Sequence, residues 1–436
     1  MKCPLPGFVL PALLAAAPFA AIAEAQPAAP VVSAAARSAD ALFDDTVLHD
    51  IYLELHRDDW TSLHANYLSN AYYPGSLRWR DVEIEDIGVR SRGFGSRSAV
   101  KPGLRVDFNR YEAGQGFLGL KSIVLDNSTQ ARSMIVERAS MLLFQRMGLP
   151  APRMAHARLH VNGQYAGLYA IIESVDQEFL RRNFGQQDGH LYEYDWANEY
   201  RFEYRGRNPA LYSPAPFKPE THERDSDPRP IEAMVRTINE APDGTFLASV
   251  SEFVDLPRFL LYLAVENFIA EIDGITGEWG MNNFYLYRFE GGNRFEFIPW
   301  DKDVVFTAVD HSIWKNTNQN VLVRRLLAAP EGRLAYLAAL ALCVEAAGGE
   351  GGWLAMEIDR AYEQVREAAL KDPAKPYSNA DFEGAVRSLR DFAAGRAGSV
   401  RRQLVEAGFD PASVLPPVNN PGAPPPRSRG SFQPPQ

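Results

Sequence analysis

The feature that most constrains the fold is the uneven distribution of hydrophobic patterns along the 436 residues. In the first half, runs such as His49–Leu55 and Leu104–Phe108 alternate polar and apolar side chains, as half-buried strands do. After Ile231 the apolar residues recur at helical spacing, with one interruption near residue 290. Strands followed by helices, instead of alternating with them, predict an α+β fold, here with two lobes.

The N-terminal 25 residues have the composition of a secretory signal peptide. Lys2 precedes an apolar stretch rich in Ala and Leu, and residues 23–25 (AEA) form a small-x-small cleavage site. The alternative, a membrane anchor, is disfavoured because the apolar run is short and interrupted by proline. We therefore predict a secreted or periplasmic protein, with no membrane span after signal cleavage.

Composition divides the remaining chain into one large domain with two irregular flanks. Residues 26–42 are rich in Ala, Pro and Ser, which favours a flexible leader, and residues 411–436 predict a disordered Pro-rich tail. Residues 186–230 are polar and weakly periodic, so we interpret them as an elaborated connection or flap. The predicted domain covers 43–410, with an N-lobe at about 43–175 and a C-lobe at about 176–410.

Charge and cysteine content exclude several classes of function. The formal net charge of −10 argues against a nucleic-acid partner. Of the two cysteines, Cys3 lies in the signal peptide, which leaves Cys343 alone and excludes a disulfide framework or a Cys-based zinc site. The eight histidines show no ligand spacing such as His-Glu-x-x-His.

A hairpin in the second half places polar residues together. The strand patterns NFYLYRF (283–289) and RFEFI (294–298) are joined by Glu-Gly-Gly-Asn, which favours a hairpin. A hairpin brings the start of one strand beside the end of the next. Asn283 and Asp301 should therefore be neighbours, with Asp273 on the loop that leads to them.

These residue types suit phosphoryl transfer. One carboxylate and one amide oxygen can hold Mg²⁺, and a further Asp can orient a hydroxyl nucleophile. Asp303 follows Asp301 by two residues, so it is either a second ligand or a residue that shapes the loop. The alternative is that each Asp and Asn only satisfies backbone groups at a loop end.

The first half offers candidates for the opposite side of such a site. Gly93 and Gly95 lie in the turn RSRGFGSRS, and Lys101 precedes the next strand. Exposed N–H groups and a strand-borne lysine can engage ATP phosphates, although an ordinary turn and a solvated lysine explain the same pattern. Glu173 ends the apolar run GLYAIIE, where it pairs with Lys101, faces a nucleotide or only closes the strand.

Together these motifs resemble the CotH kinase family, the spore coat protein H type of secreted atypical protein kinase. The resemblance covers roughly residues 44–400, and its most specific blocks are MGLPAPRMAHARLHVNGQYAGLYAIIESVDQEFL, ENFIAEIDG…NNFYLY and FIPWDKDVVF. It implies a minimised protein-kinase-like fold that transfers the γ-phosphoryl group of ATP to serines of a protein substrate, assisted by Mg²⁺ or Mn²⁺.

The resemblance also implies roles for individual residues. In chain order these are Lys101 for nucleotide phosphates, Glu173 in the Gly-Leu-Tyr block, Asp273 as the catalytic aspartate, Asn283 and Asp301 at the metal, and Asp303 beside them. The loop before Asn283 carries extra residues, ITGEWG, so Glu278 competes for the acid/base position, and the family's lysine pair is here Lys101-Pro102. The competing hypotheses are a surface-binding or assembly protein without turnover and a metal-dependent hydrolase using Asp301 and Asp303.

Overall fold

The structure, a computed structural model, describes residues 38–197 and 199–413. The predicted signal peptide and most of the predicted leader and tail lie outside the described residues. Within the predicted leader, Ala39–Leu42 forms a single helical turn (α1) capped by the Ser38 side chain, and Leu42 is fully buried. The ordered chain therefore starts before residue 43, because Leu42 contributes to the first hydrophobic core.

Seven strands of the first half close into a barrel in the order β1-β2-β3-β4-β5-β7-β6. Strands β1 and β6 pair in parallel, and the other neighbours pair antiparallel. The core of the barrel is apolar, as the alternating burial of Ile51 and Leu53 on β1 illustrates. The strands are β1 Leu48–Leu55, β2 Tyr73–Trp79, β3 Val82–Arg92, β4 Gly103–Asp107, β5 Ser122–Asp126, β6 Met154–Val161 and β7 Gln164–Glu173.

The hairpin between β6 and β7 turns at two residues, Asn162 and Gly163. Asn162 and Gly163 both adopt positive φ angles, 51° and 75°. Two successive positive φ angles match the twist of a two-residue hairpin, and Asn-Gly is the preferred sequence for it. The last barrel strand ends at Glu173, next to the predicted boundary between the lobes.

A second, four-stranded sheet has the order β11-β10-β8-β9. The predicted hairpin forms its β10–β11 half, in which Phe284 pairs with Pro299. The other half comes from residues 186–230, whose interpretation as a flap is incomplete, since β8 and β9 extend this sheet. The strands are β8 His190–Tyr194, β9 Phe217–Pro219, β10 Phe284–Arg288 and β11 Phe295–Pro299.

Helices supply most of the second half and its large hydrophobic core. Helix α7 carries nine buried residues and ends beside the loop that contains Asp273. The helices after α1 are α2 Arg57–Ala65, α3 Val136–Arg146, α4 Gln177–Phe184, α5 Arg229–Glu240, α6 Phe246–Ser251, α7 Leu256–Phe268, α8 Val321–Ala328, α9 Pro330–Ala347, α10 Trp353–Lys371 and α11 Asn379–Glu406.

The architecture agrees with the α+β prediction at the level of its two halves, one rich in strands and the other in helices. Closure of the first half into a barrel was not predicted, because strand patterns do not reveal that the first strand pairs with the sixth. Among the described residues no single helix is long and apolar enough to cross a membrane. The pair α8 and α9, bent by 102° at its break, has the length and apolar composition of a membrane span when the two helices are taken together.

Candidate active site

A cleft of about 1260 Å³ is lined by residues of the barrel and of the second sheet. Six of the eight residues selected from the sequence line it: Gly93, Gly95, Asp273, Asn283, Asp301 and Asp303. They come from the turn after β3, the loop after α7 and the two ends of the β10–β11 hairpin. The fold thus brings to one cleft residues that are more than 200 positions apart in the chain.

The hairpin sets Asn283 beside the loop that carries Asp301. The backbone N–H of Trp300 donates to the carbonyl of Asn283 at 3.1 Å, which extends the pairing by one step beyond β10 and β11. Asn283 and Asp301 have φ angles of 58° and 49°, so the chain turns sharply at each of them. Asn and Asp tolerate this left-handed conformation better than most residues do.

The Asp273 carboxylate is held in place by two amides. Asn282 Nδ2 donates to its two oxygens at 3.2 and 3.1 Å, and Asn283 Nδ2 donates at 3.0 Å. Burial raises the pKa of Asp273, and the hydrogen bonds from Asn282 and Asn283 oppose that shift. The Asn283 amide nitrogen is thus used by Asp273, which leaves its oxygen as the group able to face a cation.

Four carboxyl groups lie close together: Asp301 and Asp303 line one end of the cleft, here called its acidic end, and Asp126 and Glu137 lie next to them outside its described lining. Burial raises the pKa of Asp301 to about 6, and the nearby Asp126 adds to the shift. The pKa of Asp303 is also raised, first by burial and then by the charge of Asp301. Glu137, on α3, also has a strongly raised pKa because of burial and the charge of Asp301. The sequence analysis missed Asp126 and Glu137, although Asp126 ends a strand, as other candidate carboxylates do.

This set of donors fits a hard divalent cation better than a soft one. Carboxylate and amide oxygens are the protein ligands of Mg²⁺, and a cation would offset the burial and the neighbouring negative charge that raise the pKa of Asp301. Within residues 38–197 and 199–413, no group of three or more His, Cys, Asp or Glu side chains is arranged to hold a metal ion by itself. Mg²⁺ commonly takes one or two carboxylates and completes its shell with phosphate oxygens and water.

Cations line the same cleft around the acidic end. They are Arg90, Arg92, Arg97, Arg105, Lys121 and Lys218. Arg92 lies beside the acidic end, with Nη1 3.8 Å from Asp126 Oδ2 and the guanidinium 5.7 Å from the centre of the Trp300 ring. Arg97 fixes the glycine turn through an Nε–H donated to the Gly93 carbonyl at 2.7 Å. The sequence analysis selected Gly93 and Gly95 from this turn but did not single out Arg92.

Lys101 and Glu173 do not belong to the described lining of the cleft. The Lys101 side chain is fully buried, and its Nζ donates to Asp372 at 2.7 Å and to the Leu168 carbonyl at 2.8 Å. Glu173 instead accepts from Arg153 at 2.7 Å and Arg182 at 2.6 Å. Each of these charges is paired elsewhere in the structure, so the geometry does not support the expected contact of Lys101 with phosphates. Glu173 does not pair with Lys101, which was one of the three alternatives for it.

Glu278, the competitor for the acid/base position, is partly exposed and pairs with Lys315 at 3.1 Å. It lies outside the described lining of the cleft, whereas Asp273 lies within it. The ITGEWG insertion instead contacts the segment between β8 and β9, where the Glu199 N–H donates to the Trp279 carbonyl at 3.1 Å. The geometry therefore favours Asp273 over Glu278 as the residue next to an acceptor group.

Comparison with known proteins gives the family. The model of the CotH kinase protein family matches residues 89–400, well over half of the chain. The chain belongs to the CotH kinase family. That match includes the glycine turn, the Asp273 loop and the hairpin, so every cleft residue selected from the sequence lies inside the family domain.

Two individual proteins resemble this CotH family member. The inner spore coat protein H of Bacillus subtilis (strain 168) is 25% identical over 330 residues, which cover 74% of this chain and 88% of that protein. The crystal structure of the Helicobacter pylori proinflammatory kinase CtkA superposes with a TM-score of 0.32 and 7% identity, over 70% of this chain and 95% of that one. The second likeness is too distant to assign a fold or a residue role.

Proposed function

We propose that this protein is an exported, ATP-dependent protein kinase that transfers the γ-phosphoryl group of ATP to serine hydroxyls of a protein substrate. Membership of the CotH kinase family supports phosphoryl transfer as the class of reaction. The observation that carries the proposal is the meeting of Asp273, Asn283 and Asp301 in one cleft that also has cations along its lining. The kinase-like two-lobed fold is part of the proposal.

Asp273 is the residue suited to the acceptor hydroxyl. In the transfer, the serine oxygen forms a bond to the γ-phosphorus, the bond to the β–γ bridging oxygen breaks, and ADP leaves. Asp273 accepts the proton that the serine loses. Its carboxylate is oriented by Asn282 and Asn283, and burial raises its pKa toward the range in which a carboxylate works as a base.

The acidic end of the cleft would bind the phosphates through a metal ion, and the cations of the cleft would bind them directly. Mg²⁺, held by Asp301 and the amide oxygen of Asn283, would neutralise charge on the phosphate oxygens. Arg92 lies beside this acidic end and takes the part that the family resemblance implied for Lys101. Gly93 and Gly95 line the same cleft, and backbone N–H groups of their turn would supply further donors.

The direct test is transfer of label from γ-labelled ATP to a serine-rich protein or peptide, with Mg²⁺ or Mn²⁺. Wild type should transfer label, and Asp273→Ala and Asp301→Ala should reduce transfer by about a thousandfold or more. Glu278→Gln is the matched control for the competing acid/base residue and should retain activity. If wild type transfers no more label than the two alanine variants, the proposed activity is wrong.

A second candidate is a surface-binding or assembly protein that keeps the fold without turnover. One observation favours it: the similar Bacillus subtilis protein is named as an inner spore coat protein. Titration calorimetry separates the two candidates, because a kinase binds ATP in a metal-dependent way. Binding of a protein ligand without any ATP binding would favour assembly.

Export is a separate part of the proposal. It rests on the signal-like composition of residues 1–25. N-terminal sequencing of the protein recovered outside the cytoplasm should give Gln26 as the first residue. A full-length chain retained in the cytoplasm would contradict export without affecting the kinase proposal.

A further inference from the structure

Lys302 stands between the two aspartates of the cleft, yet its side chain is directed away from the solvent and is completely buried. Its Nζ lies 2.7 Å from Glu266 Oε1 and 3.5 Å from Glu271 Oε2. Both glutamates are also buried, with side-chain exposures of 1% and 2%. A lysine with two glutamates is thus enclosed directly behind the Asp301 loop.

Each glutamate uses its other oxygen to hold the loop that carries Asp273. Glu271 Oε1 accepts from the backbone N–H of Asp273 at 2.7 Å, and Glu266 Oε2 accepts from that of Ile275 at 2.9 Å. Gly274 lies against the same carboxylate, since a Cβ added there would be 2.5 Å from Glu266 Oε1. The Asp273 loop is therefore bound to the lysine through two carboxylates.

Further contacts tie the Asp301 side of this arrangement to its surroundings. The Ser140 hydroxyl, on α3, donates to the Lys302 carbonyl at 2.9 Å. The Ile272 N–H donates to the Val304 carbonyl at 3.4 Å, so the two loops also contact each other through their backbones. A change at Lys302 therefore reaches both loops together.

Stability alone is a weak reason to bury such a group. Removing a lysine and two carboxylates from water is costly, and buried ion pairs are often no more stabilising than apolar side chains of similar size. They can instead fix one conformation among several. Here the groups fixed are the residue at the acceptor hydroxyl and the residue at the metal.

We propose that Lys302, with Glu266 and Glu271, is a positioning centre that sets Asp273 and Asp301 at their working separation. The inference rests on the proposed kinase function and adds residues that do not touch substrate. Displacement of a reacting group by about 1 Å can reduce a rate by about a hundredfold. Loss of the Lys302 ammonium should therefore reduce kcat and leave ATP binding nearly unchanged.

The chain contains a matched control for loss of a buried pair. Lys101 and Asp372 form a second fully buried lysine–carboxylate pair, also at 2.7 Å, outside the described lining of the cleft. Asp372 additionally accepts from the Leu168 N–H at 2.9 Å. Asp372→Asn therefore breaks a pair of equal length and burial that has no contact with the Asp273 loop.

The experiment compares Lys302→Met, Glu266→Gln and Asp372→Asn in the full chain. Lys302→Met and Glu266→Gln should lower kcat by about 30- to 100-fold, with the KM for ATP within about threefold of wild type. Asp372→Asn should lower the melting temperature by a similar amount and keep kcat within about threefold. Equal loss of kcat in all three variants would overturn the proposal, because it would show a general effect of lost stability.

A readout without catalysis separates this inference from the kinase proposal. Hydrogen exchange of the amides at residues 271–276 should accelerate in Lys302→Met and stay at the wild-type rate in Asp372→Asn. If wild type lacks kinase activity but this difference is seen, the positioning centre stands and the proposed function fails. If activity is present and residues 271–276 exchange alike in both variants, the positioning centre is wrong.

Discussion

Two buried lysines in this molecule have nearly the same local geometry and very different surroundings. Lys101 and Lys302 are each fully buried and each lie 2.7 Å from a carboxylate oxygen. Burial lowers the pKa of Lys101 despite the nearby Asp372. For Lys302, burial also acts to lower the pKa, but Glu266 and Glu271 together outweigh it and raise the pKa. Lys302 is thus the more firmly charged of the two.

The difference lies in what each pair holds together. The Lys101–Asp372 pair joins the start of the β4 segment to the residue after α10, and so links the first half of the chain to the helical second half. The Lys302 group links the two loops that carry Asp273 and Asp301. Pairs of equal length therefore support different properties: global stability in the first case and the geometry of the cleft in the second.

The largest expected difference is between substitutions of Asp301, in the cleft, and Asp372, in the buried pair with Lys101. Asp301→Asn should reduce phosphoryl transfer by about a thousandfold or more, because the cleft loses the carboxylate proposed at the metal. Asp372→Asn should destabilise the fold by about 3–5 kcal/mol, because it leaves Lys101 buried and unpaired, while transfer per folded molecule is retained. Urea unfolding and single-turnover transfer measure the two effects separately.

Equal losses of transfer in these two variants would remove the distinction between the regions. Transfer by both variants should be measured at saturating ATP and Mg²⁺, because a loss of transfer that reflects only weaker binding is then overcome. Asp301→Asn should remain inactive under those conditions.

The sequence predicted local elements well and long-range partners poorly. The Asn162-Gly163 turn and the β10–β11 hairpin depend on neighbouring residues, so their patterns were sufficient, and the hairpin correctly placed Asn283 near Asp301. The partner of Lys101 lies 271 positions away in the chain, and that of Lys302 lies 36 positions away. No periodicity or motif reveals such pairs, so a lysine before a strand was expected at the phosphates and Lys302 was not considered.

A similar limit applies to the charges of the cleft. Arg92 directly precedes Gly93 in the sequence, but its place beside Asp126 depends on the pairing of β3, β4 and β5 into the barrel. Glu137 reaches the same region from α3. Strand patterns identify the strands but not their order, which decides which charges meet.

The next largest expected difference is in how the free energy of unfolding depends on pH in wild type and in Glu271→Gln. Burial raises the pKa of Glu271 to about 7, although Lys302 opposes the shift. The folded protein then binds this proton more tightly than the unfolded chain, so the free energy of unfolding falls as pH rises from about 4.5 to about 7. Glu271→Gln keeps an oxygen for the Asp273 N–H but does not titrate.

Urea unfolding of wild type and Glu271→Gln at pH 5 and pH 8 measures this contribution. The loss of stability between the two pH values should be larger in wild type by about 2 kcal/mol. Subtracting the two profiles removes the contributions of the other carboxyl groups, Asp301 and Asp303 included. Parallel profiles would mean that Glu271 is already ionised at pH 5 in the folded protein.

The smallest expected contrast decides between Arg92 and Lys101 as the cation at the phosphates. Arg92→Gln should weaken binding of ATP with Mg²⁺ by about tenfold, since a charge-assisted hydrogen bond to phosphate is lost. Lys101→Met should change that affinity by less than about threefold, because its Nζ is used by Asp372 and Leu168. Calorimetry on both variants, each compared with wild type under conditions where it is folded, gives the two values.

The opposite result would reverse the comparison of the two lysines. If Lys101→Met weakens ATP binding and Arg92→Gln does not, then Lys101 leaves Asp372 when nucleotide binds and contacts the phosphates, the role that the family resemblance implied for it. Asp372→Asn should then strengthen ATP binding, because the lysine no longer has to break an ion pair first. If Arg92 is the cation at the phosphates, Asp372→Asn should leave ATP affinity unchanged. This third variant therefore tests the choice between Arg92 and Lys101 through the ion-pair partner of Lys101.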